Sequence, residues 1–271
     1  MPGQANGVSF PAVLLRGFPA SPFVRKARLL LRFKGASFDE EPARLFQGAT
    51  LSHFVEALEQ PTLVDGDAAI HGTTAIAEYL DQSHPDRPLY PAPPLGARAR
   101  IIEQWVDRVL VPATLGVRWL LRTNFSRSWQ ELAASYGHAA GADLLAPALR
   151  PVFREFVALR VEGAPSFFGR DAARLNRLAV ACEALDGALA ETGWLGPSPT
   201  AADLAAYAGL EGLEEMDGWE TVRAGKRIAA WMQGVARALE TGETPADVDV
   251  IDVADAQAFV ETRTPSQRRR A

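Results

Sequence analysis

Ser21 is the residue whose position in this sequence most directly suggests chemistry. It lies in GFPASPFVRKARLLLRFKG, residues 17 to 35, between two prolines and directly ahead of a helical pattern with three basic residues in its first turns. A serine at a helix N-terminus can act as a nucleophile, bind an anion together with the free backbone N–H groups, or only cap the helix. The segment by itself leaves all three roles open.

Other kinds of chemistry have little support in the residue types and their spacing. The four histidines and the single cysteine are scattered and lack the spacing of metal ligands. No glycine-rich phosphate loop follows a predicted strand, so a nucleotide is not expected. Cys182 lies in RLAVACEALDGAL, where its neighbours indicate a buried helical position, and one thiol cannot form a disulfide framework. We therefore expect no metal and a structural thiol.

Charge and hydropathy narrow the classes of partner. The net charge is -5 and no long basic stripe is present, which argues against nucleic acid as a partner. No run approaches the roughly 20 apolar residues that cross a bilayer, and the N-terminus lacks the pattern of a signal peptide. We expect a cytoplasmic protein that does not bind a membrane, with a hydrophobic content of 48% that is ample for folded cores.

The elements that must position Ser21 alternate between strand and helix. AVLLRGF predicts a strand, and a helix follows with Ser21 as N-cap, Pro22 as first helical residue and Gly35 just past its end. SFDEEPARL predicts a second strand, TLVDGDAAIHG a hairpin with Asp65-Gly66 in its turn, and TTAIAEYLDQSH a helix opened by threonine. The order is therefore β-α-β, a loop, then β-β-α.

The second half of the chain has a different character. HPDRPLYPAPPLG, residues 84 to 96, holds five prolines and predicts a linker. From Ala97 onward, apolar residues recur at three and four positions, which indicates a helix bundle. The predicted division is a first domain over 8–84, a linker over 85–96, a helical domain over 97–240 and a partly disordered extension over 241–271.

This order of domains resembles the glutathione transferase superfamily over roughly residues 10 to 240. The resemblance implies an α+β domain of the thioredoxin-like type followed by an all-helical domain. SPFVRKARLLLRFKG is similar to the strand-to-helix turn of the bacterial serine-type members, which implies that Ser21 donates a hydrogen bond to the sulfur of glutathione and that Phe23 belongs to the same binding turn.

That role is physically reasonable for a serine at a helix N-terminus. A thiol with a pKa of about 8.5 is only a few per cent ionised at neutral pH, and both a hydroxyl donor and the positive end of a helix stabilise the thiolate. Lowering this pKa by two units requires about 2.7 kcal/mol, which one charge-assisted hydrogen bond plus the helix dipole could supply. Ser21 would be a donor rather than a nucleophile, and the alternative is that it only caps the helix.

Two further segments resemble the glutathione-binding parts of the family. EQPTLVDGD is similar to the turn in which a cis-proline, here Pro61, follows a residue whose backbone binds the tripeptide, here Gln60. HGTTAIAEYL is similar to the signature that opens the next helix, which implies that Thr73 and Thr74 bind the γ-glutamyl carboxylate. The alternative is that Thr73 is only the N-cap of that helix. Gly72 stands where the family usually has an acidic residue.

The helical half carries one structural motif and one candidate pocket. GWLGPSPTAADLAAYAGL resembles the family's capping motif, with Thr200 and Asp203 forming a capping box at the start of a buried helix. The resemblance also implies that the first long helix lines an electrophile pocket through Trp105 and Val109, with Trp119 nearby. Pro112 is expected to kink that helix.

Two functions of different classes follow. The first is a transferase that activates glutathione through Ser21 and conjugates it to, or isomerises or reduces, a small hydrophobic electrophile. The second is a weakly active or non-catalytic binding or assembly module with the same fold, an interpretation that Gly72 and Gln60 favour and Ser21 opposes. A cysteine-dependent mechanism lacks its nucleophile near residue 21. A homodimer is implied by the resemblance alone.

Overall fold

The computed structural model describes residues 13–43, 61–135, 149–166, 170–190, 192–196 and 198–242. Gln60 and nearly all of the extension predicted over 241–271 lie outside these described residues. The predicted domain boundaries stay predictions.

A four-stranded mixed sheet forms the first half of the chain. Its strands are β1 Val13–Gly17, β2 Phe38–Pro42, β3 Thr62–Asp65 and β4 Ala68–His71. The spatial order is β2-β1-β3-β4, with β1 parallel to β2 and β3 antiparallel to both β1 and β4. Helix α1 (Pro22–Phe33) connects the two parallel strands, and α2 (Thr73–Ser83) follows the hairpin. The predicted β-α-β, β-β-α order is confirmed.

Both ends of α1 are capped as the sequence predicts. Ser21 is the N-cap with extended backbone angles, and its side chain accepts a hydrogen bond from the Phe23 N–H. At the other end Gly35 has a φ of +70°, a left-handed conformation that glycine adopts without steric cost. The Gly35 and Ala36 N–H groups donate to the carbonyls of Arg32 and Leu31, which is a Schellman motif. The helix start that presents Ser21 is therefore fixed locally.

The hairpin differs from the prediction by one residue. Asp65 pairs with Ala68 as the last position of the ladder, so the two turn residues are Gly66 and Asp67 rather than Asp65 and Gly66. Gly66 supplies a positive φ of 57°. The register of β3 against β4, rather than the Asp-Gly dipeptide, determines where the turn falls.

Helices make up the described part of the second half. In chain order they are α3 Leu95–Trp105, α4 Val111–Leu120, α5 Arg122–Ser135, α6 Leu149–Glu162, α7 Asp171–Ala188, α8 Ala201–Glu211, α9 Trp219–Arg223 and α10 Lys226–Thr241. Among the described residues, no helix combines the length and the apolar character needed to span a membrane.

A π-helical turn over Val106–Leu110 joins α3 to α4 directly before Pro112. Proline lacks an N–H donor, and its ring clashes with the carbonyl four residues earlier, here that of Arg108. A π turn widens the backbone at this point, which accommodates both the missing hydrogen bond and the proline ring. The sequence predicts a kink at Pro112, and the structure has a π turn in the segment that precedes this proline.

Helix α8 is the centre of the main core, and residues 201–210 are all buried. The predicted capping box at its start is present: Asp203 accepts hydrogen bonds from the Thr200 N–H and hydroxyl, each at 2.9 Å. The same carboxylate accepts from the Leu195 N–H at 3.0 Å and the Trp231 indole N–H at 2.9 Å. It therefore ties α8 to the preceding loop and to α10. Helix α1 packs on α8, which joins the sheet half to the helical half.

Candidate functional site

A cavity of about 260 Å³ opens beside the turn between β1 and α1. Its wall is formed by that turn, by the π turn with α4, and by one face of α6. The lining residues are Phe18, Ala20, Ser21, Pro22, Phe23, Asp107, Val111, Pro112, Leu115, Trp119, Phe153, Phe156, Val157, Arg160 and Val161. Most of these side chains are apolar, and Ser21, Asp107 and Arg160 are the polar ones.

Ser21 has a defined orientation in this wall. Ser21 is 3% exposed, and its Oγ accepts a hydrogen bond from the Phe23 N–H at 3.2 Å. The Ser21 N–H donates to the Phe18 carbonyl at 2.9 Å, which closes the turn ahead of α1. Accepting one hydrogen bond uses a lone pair of the hydroxyl and leaves its hydrogen available to donate. Capping the helix and donating to a ligand in the cavity are therefore compatible.

Aromatic rings form the inner wall of the cavity. Trp119 lies edge-on to Phe153, with ring centroids 4.8 Å apart, and Phe18 packs on the same phenylalanine at 6.1 Å. Trp129 supports Phe153 from behind at 5.6 Å. Such offset and edge-on contacts stabilise a rigid apolar surface. A flat apolar ligand fits this surface better than a polar one does.

The two residues predicted to line an electrophile pocket have other positions. The described residues that line this cavity do not include Trp105 or Val109. Trp105 is partly buried against the main core, and Val109 is 41% exposed. Trp119, which the sequence placed nearby, does line the cavity, together with Val111 and Leu115 from the same helix.

The residues predicted to bind the rest of glutathione meet at the same end of the sheet. The Gly72 N–H donates to the Pro61 carbonyl at 2.9 Å, which joins the start of β3 to the start of α2. The end of β1 lies close by, since a Cβ on Gly17 would sit 3.6 Å from the Pro61 Cα. Gln60 lies outside the described residues, and so does the predicted cis state of its bond to Pro61.

The N-terminus of α2 is open in a way that suits an anion. Gly72 is the N-cap, with a φ of 85°, so Thr73 is the first helical residue rather than the cap. No described side chain caps this end. Free N–H groups at a helix N-terminus, together with the helix dipole, attract a carboxylate. Thr73 is 6% exposed, whereas the Thr74 hydroxyl donates to the Glu103 Oε1 at 3.3 Å.

A buried charge cluster lies between this helix end and the cavity. The Lys26 Nζ is 2.7 Å from the Glu103 Oε1 and 3.0 Å from the Asp107 Oδ2. The Lys26 and Glu103 side chains are 2% and 1% exposed, and that of Asp107 is 20% exposed. The Tyr90 hydroxyl also donates to the Glu103 Oε2 at 2.5 Å. The cluster joins α1, α3, the π turn and the linker.

The two titratable groups at the edges of this cluster have shifted pKa values. Burial raises the pKa of Asp107 above the usual range of an aspartate, Lys26 opposes the shift, and the charge of Glu103 adds to it. Burial, followed by the charge of Glu103, raises the pKa of the Tyr90 hydroxyl well above its usual value. Tyr90 is therefore a hydrogen-bond donor throughout the physiological range.

Sequence reasoning missed Lys26, Asp107 and the cavity face of α6. A signal for Lys26 was present, because it lies between Val24 and Ala27, two residues buried in the same helix. A lysine on a buried face requires a carboxylate partner. The face of α6 carried no such signal. The described residues contain no cluster of His, Cys, Asp or Glu placed to hold a metal ion.

The comparisons with known proteins agree with this arrangement of elements. A family model described as glutathione S-transferase, N-terminal domain, matches residues 15–88, which contain the strand-to-helix turn, Pro61 and the start of α2. Glutathione S-transferase U1 of Arabidopsis thaliana is 31% identical over 119 residues, which are 43% of this chain and 52% of the plant protein. Residues 15–88 therefore match the N-terminal domain of glutathione S-transferases, and the chain is similar to members of that family. It spans about half the length of the first curated relatives that it matches.

Solved glutathione S-transferase structures share the fold over nearly the whole chain. The apo structure of glutathione S-transferase III has a TM-score of 0.58 at 20% identity and covers 94% of this chain and 100% of its own. A glutathione S-transferase from Rhodospirillum rubrum has a TM-score of 0.55 at 22% identity and covers 88% and 99%. The predicted fold class, a thioredoxin-like domain followed by an all-helical domain, is confirmed.

Proposed function

We propose that this protein is a glutathione S-transferase superfamily enzyme that activates the glutathione thiol with Ser21 for attack on a small hydrophobic electrophile. The observation that carries the proposal is the position of the Ser21 hydroxyl, at the N-terminus of α1 and in the wall of a mostly apolar cavity. A sulfur atom placed beside this hydroxyl would face the aromatic wall. Thiol and electrophile could then meet inside one water-poor space.

The hydroxyl and the helix would act together on the sulfur. The Ser21 Oγ keeps its hydrogen while it caps α1, so the hydroxyl can donate to sulfur, and a thiolate sulfur accepts this hydrogen bond much more strongly than the sulfur of a neutral thiol does. The positive end of α1 favours the same ionised form. The first turn of α1 holds no acidic residue that would oppose it. Both effects lower the pKa of bound glutathione and increase the fraction of reactive thiolate.

The other parts of glutathione would bind along the line from Pro61 to α2. The uncapped N-terminus of α2 would hold the γ-glutamyl carboxylate through its N–H groups and the Thr73 hydroxyl. Thr74 would contribute its backbone N–H, because its hydroxyl already donates to Glu103. The backbone of Gln60, ahead of Pro61, would pair with the cysteinyl residue, and Phe23 would pack at the edge of the sulfur site. The homodimer and the cytoplasmic location stay predictions.

The pH dependence of conjugation tests the role of Ser21. With glutathione and chlorodinitrobenzene as substrates, kcat/KM of the wild type should rise with pH and level off below the pKa of free glutathione. In Ser21→Ala the midpoint of this profile should move up by about one pH unit or more, because the variant loses a hydrogen bond to the thiolate worth about 1.5 kcal/mol or more while the dipole of α1 remains. The exposed Ser83, changed to Ala, is the matched control and should keep the wild-type profile. An identical profile in Ser21→Ala and wild type would refute the donor role.

The alternative function, a binding module that has lost catalysis, leads to a different result in the conjugation assay. Such a protein would bind glutathione without forming thiolate and would show no conjugation above the uncatalysed rate at any pH. This outcome would contradict the enzymatic proposal while leaving the similarity to the family intact.

A further inference from the structure

The start of α2 is tied to the rest of the molecule through one buried carboxylate, that of Glu103 on α3. The Thr74 hydroxyl, in the first turn of α2, donates to the Glu103 Oε1 at 3.3 Å. The ammonium group of Lys26, on α1, lies 2.7 Å from the same oxygen. Glu103 therefore contacts both of the helices whose N-termini are proposed to bind glutathione, α1 at the sulfur and α2 at the γ-glutamyl carboxylate.

Tyr90, in the linker, holds the other oxygen of this carboxylate. Its hydroxyl donates to the Glu103 Oε2 at 2.5 Å, and its ring faces the Arg100 guanidinium at 3.9 Å from the ring centroid. The Tyr90 backbone N–H donates to the Asp81 Oδ2 at 2.9 Å, and Asp81 lies in the last turn of α2. Tyr90 thus holds α2 directly near its C-terminus and, through Glu103, at its N-terminus.

Glu103 cannot act on a ligand by contact. Its side chain is 1% exposed, and it is not among the described residues that line the cavity beside Ser21. Its effect would pass through the backbone of α2, where the Ile76 N–H donates to the carbonyl of the N-cap Gly72 at 3.0 Å. The N–H groups ahead of Ile76 have no partner within the helix and are the ones that would bind a carboxylate. Fixing Thr74 fixes these N–H groups.

A carboxylate at this position gives the contact a direction. A well-packed apolar side chain of similar volume would join the same helices at least as stably as a buried ion pair does. An apolar contact, however, does not hold its neighbours at defined distances, whereas the two oxygens of Glu103 hold donors from α1, α2 and the linker at hydrogen-bond distance. This arrangement specifies where the start of α2 lies relative to α1.

We infer that Glu103 is a positioning residue for glutathione, which sets the place of the carboxylate site at α2 relative to the sulfur site at Ser21. The inference rests on the proposed function, because it takes the tripeptide to bind at both helix ends. A ligand held at two points binds well only when both points lie where its bound conformation requires them. A misplacement of about 1 Å can cost about 100-fold in rate.

Two thiols separate this positioning role from general support of the fold. Glutathione carries the γ-glutamyl carboxylate, and γ-aminobutyryl-cysteinylglycine is the same molecule without it. Calorimetric titration gives the Kd of each thiol, and the wild type should bind glutathione more tightly. Thr74→Val keeps the shape of the side chain and the backbone N–H but removes the donor to Glu103. It should raise the Kd of glutathione about tenfold and that of the analogue less than about twofold.

Tyr90→Phe tests the connection through Glu103, because it removes one hydroxyl that is remote from the ligand. It should weaken the binding of glutathione about threefold or more and leave the analogue unaffected. The double variant with Thr74→Val should lose no more affinity than Thr74→Val alone, since Tyr90 reaches the carboxylate site only through Glu103 and Thr74. Tyr79→Phe is the matched control. It removes a hydroxyl of α2 that donates to the Asp65 carboxylate at 2.6 Å, and it should keep both Kd values.

The possible results distinguish this inference from the proposed function. Equal weakening of both thiols in the single variants, unchanged binding in both, additive losses in the double variant, or equal affinity of the wild type for the two thiols would each overturn the inference while the proposed function stands. A wild type that binds neither thiol would refute both. Binding of glutathione without conjugation of chlorodinitrobenzene would refute the enzymatic proposal, and the ratio of Kd values would still decide the role of Glu103. If one single variant does not fold, the other decides.

Discussion

Replacing Lys26 by methionine should destabilise the protein far more than a typical substitution of lysine. The side chain is 2% exposed, and it is the ammonium partner of Glu103 at 2.7 Å and Asp107 at 3.0 Å. Methionine has a similar length and fills the same space, so packing loss is small. What remains is the Glu103 carboxylate, which is 1% exposed and whose other donors, within the described part of the chain, are the Tyr90 and Thr74 hydroxyls.

Breaking a buried ion pair on one side costs about 3 to 5 kcal/mol, because it leaves an uncompensated charge. We therefore expect a loss of at least about 3 kcal/mol in the free energy of unfolding, which is a large part of the 5 to 15 kcal/mol of a typical domain. Urea denaturation followed by circular dichroism measures it. The double variant Lys26→Met with Glu103→Gln should recover a substantial part, since it removes the stranded charge.

Lys226 offers a matched control, because it is an exposed lysine at the start of α10. Its replacement by methionine should change the free energy of unfolding by less than about 0.5 kcal/mol. If Lys26→Met destabilised the protein by no more than this control, the reasoning from burial and pairing would be refuted. A double variant as unstable as the single one would contradict the role assigned to the charge of Glu103.

Two further predictions concern the helical half. Asp203→Ala should lower the free energy of unfolding by about 3 kcal/mol or more, because it removes the capping box and strands the buried Trp231 indole N–H; a thermal or urea midpoint close to that of the wild type would contradict this. Cys182 should resist thiol reagents at neutral pH, since burial raises its pKa to about 12, and should react once urea unfolds the chain; rapid labelling of the folded protein, detected by mass spectrometry, would count against the buried position.

The sequence was informative where structure depends on neighbours along the chain. The capping of α1 by Ser21 and of α8 by Thr200 with Asp203 follows from hydrogen bonds within a single turn, so local patterns were sufficient to predict them. The hairpin turn was off by one residue, because strand pairing between β3 and β4 sets the register. The roles of the glutathione-binding residues stay predictions.

The cavity wall was harder to predict because helical spacing alone does not show which face of a helix meets a cavity. The residues that line it here, Asp107, Val111, Leu115 and Trp119, follow one another at four-residue intervals. Trp105 and Val109 each precede a member of this row by two residues, which is about 200° around a helix. The opposite wall comes from α6, far along the chain, and its contacts are set by tertiary packing. The charge cluster of Lys26 likewise joins segments that are distant in sequence. Of its members, only Lys26 could be recognised from its neighbours in the sequence.

The most direct test of the central claim, that Ser21 stabilises glutathione as a thiolate, is calorimetric titration of the protein with glutathione while the ultraviolet absorbance of the thiolate is recorded. The account predicts binding accompanied by a thiolate signal at neutral pH in wild type and in Ser83→Ala. Ser21→Ala should still bind glutathione, with a loss of folding stability of about 1 kcal/mol from the missing cap, and should lose the thiolate signal. An equal thiolate signal in Ser21→Ala, or no binding of glutathione by the wild type, would contradict the account.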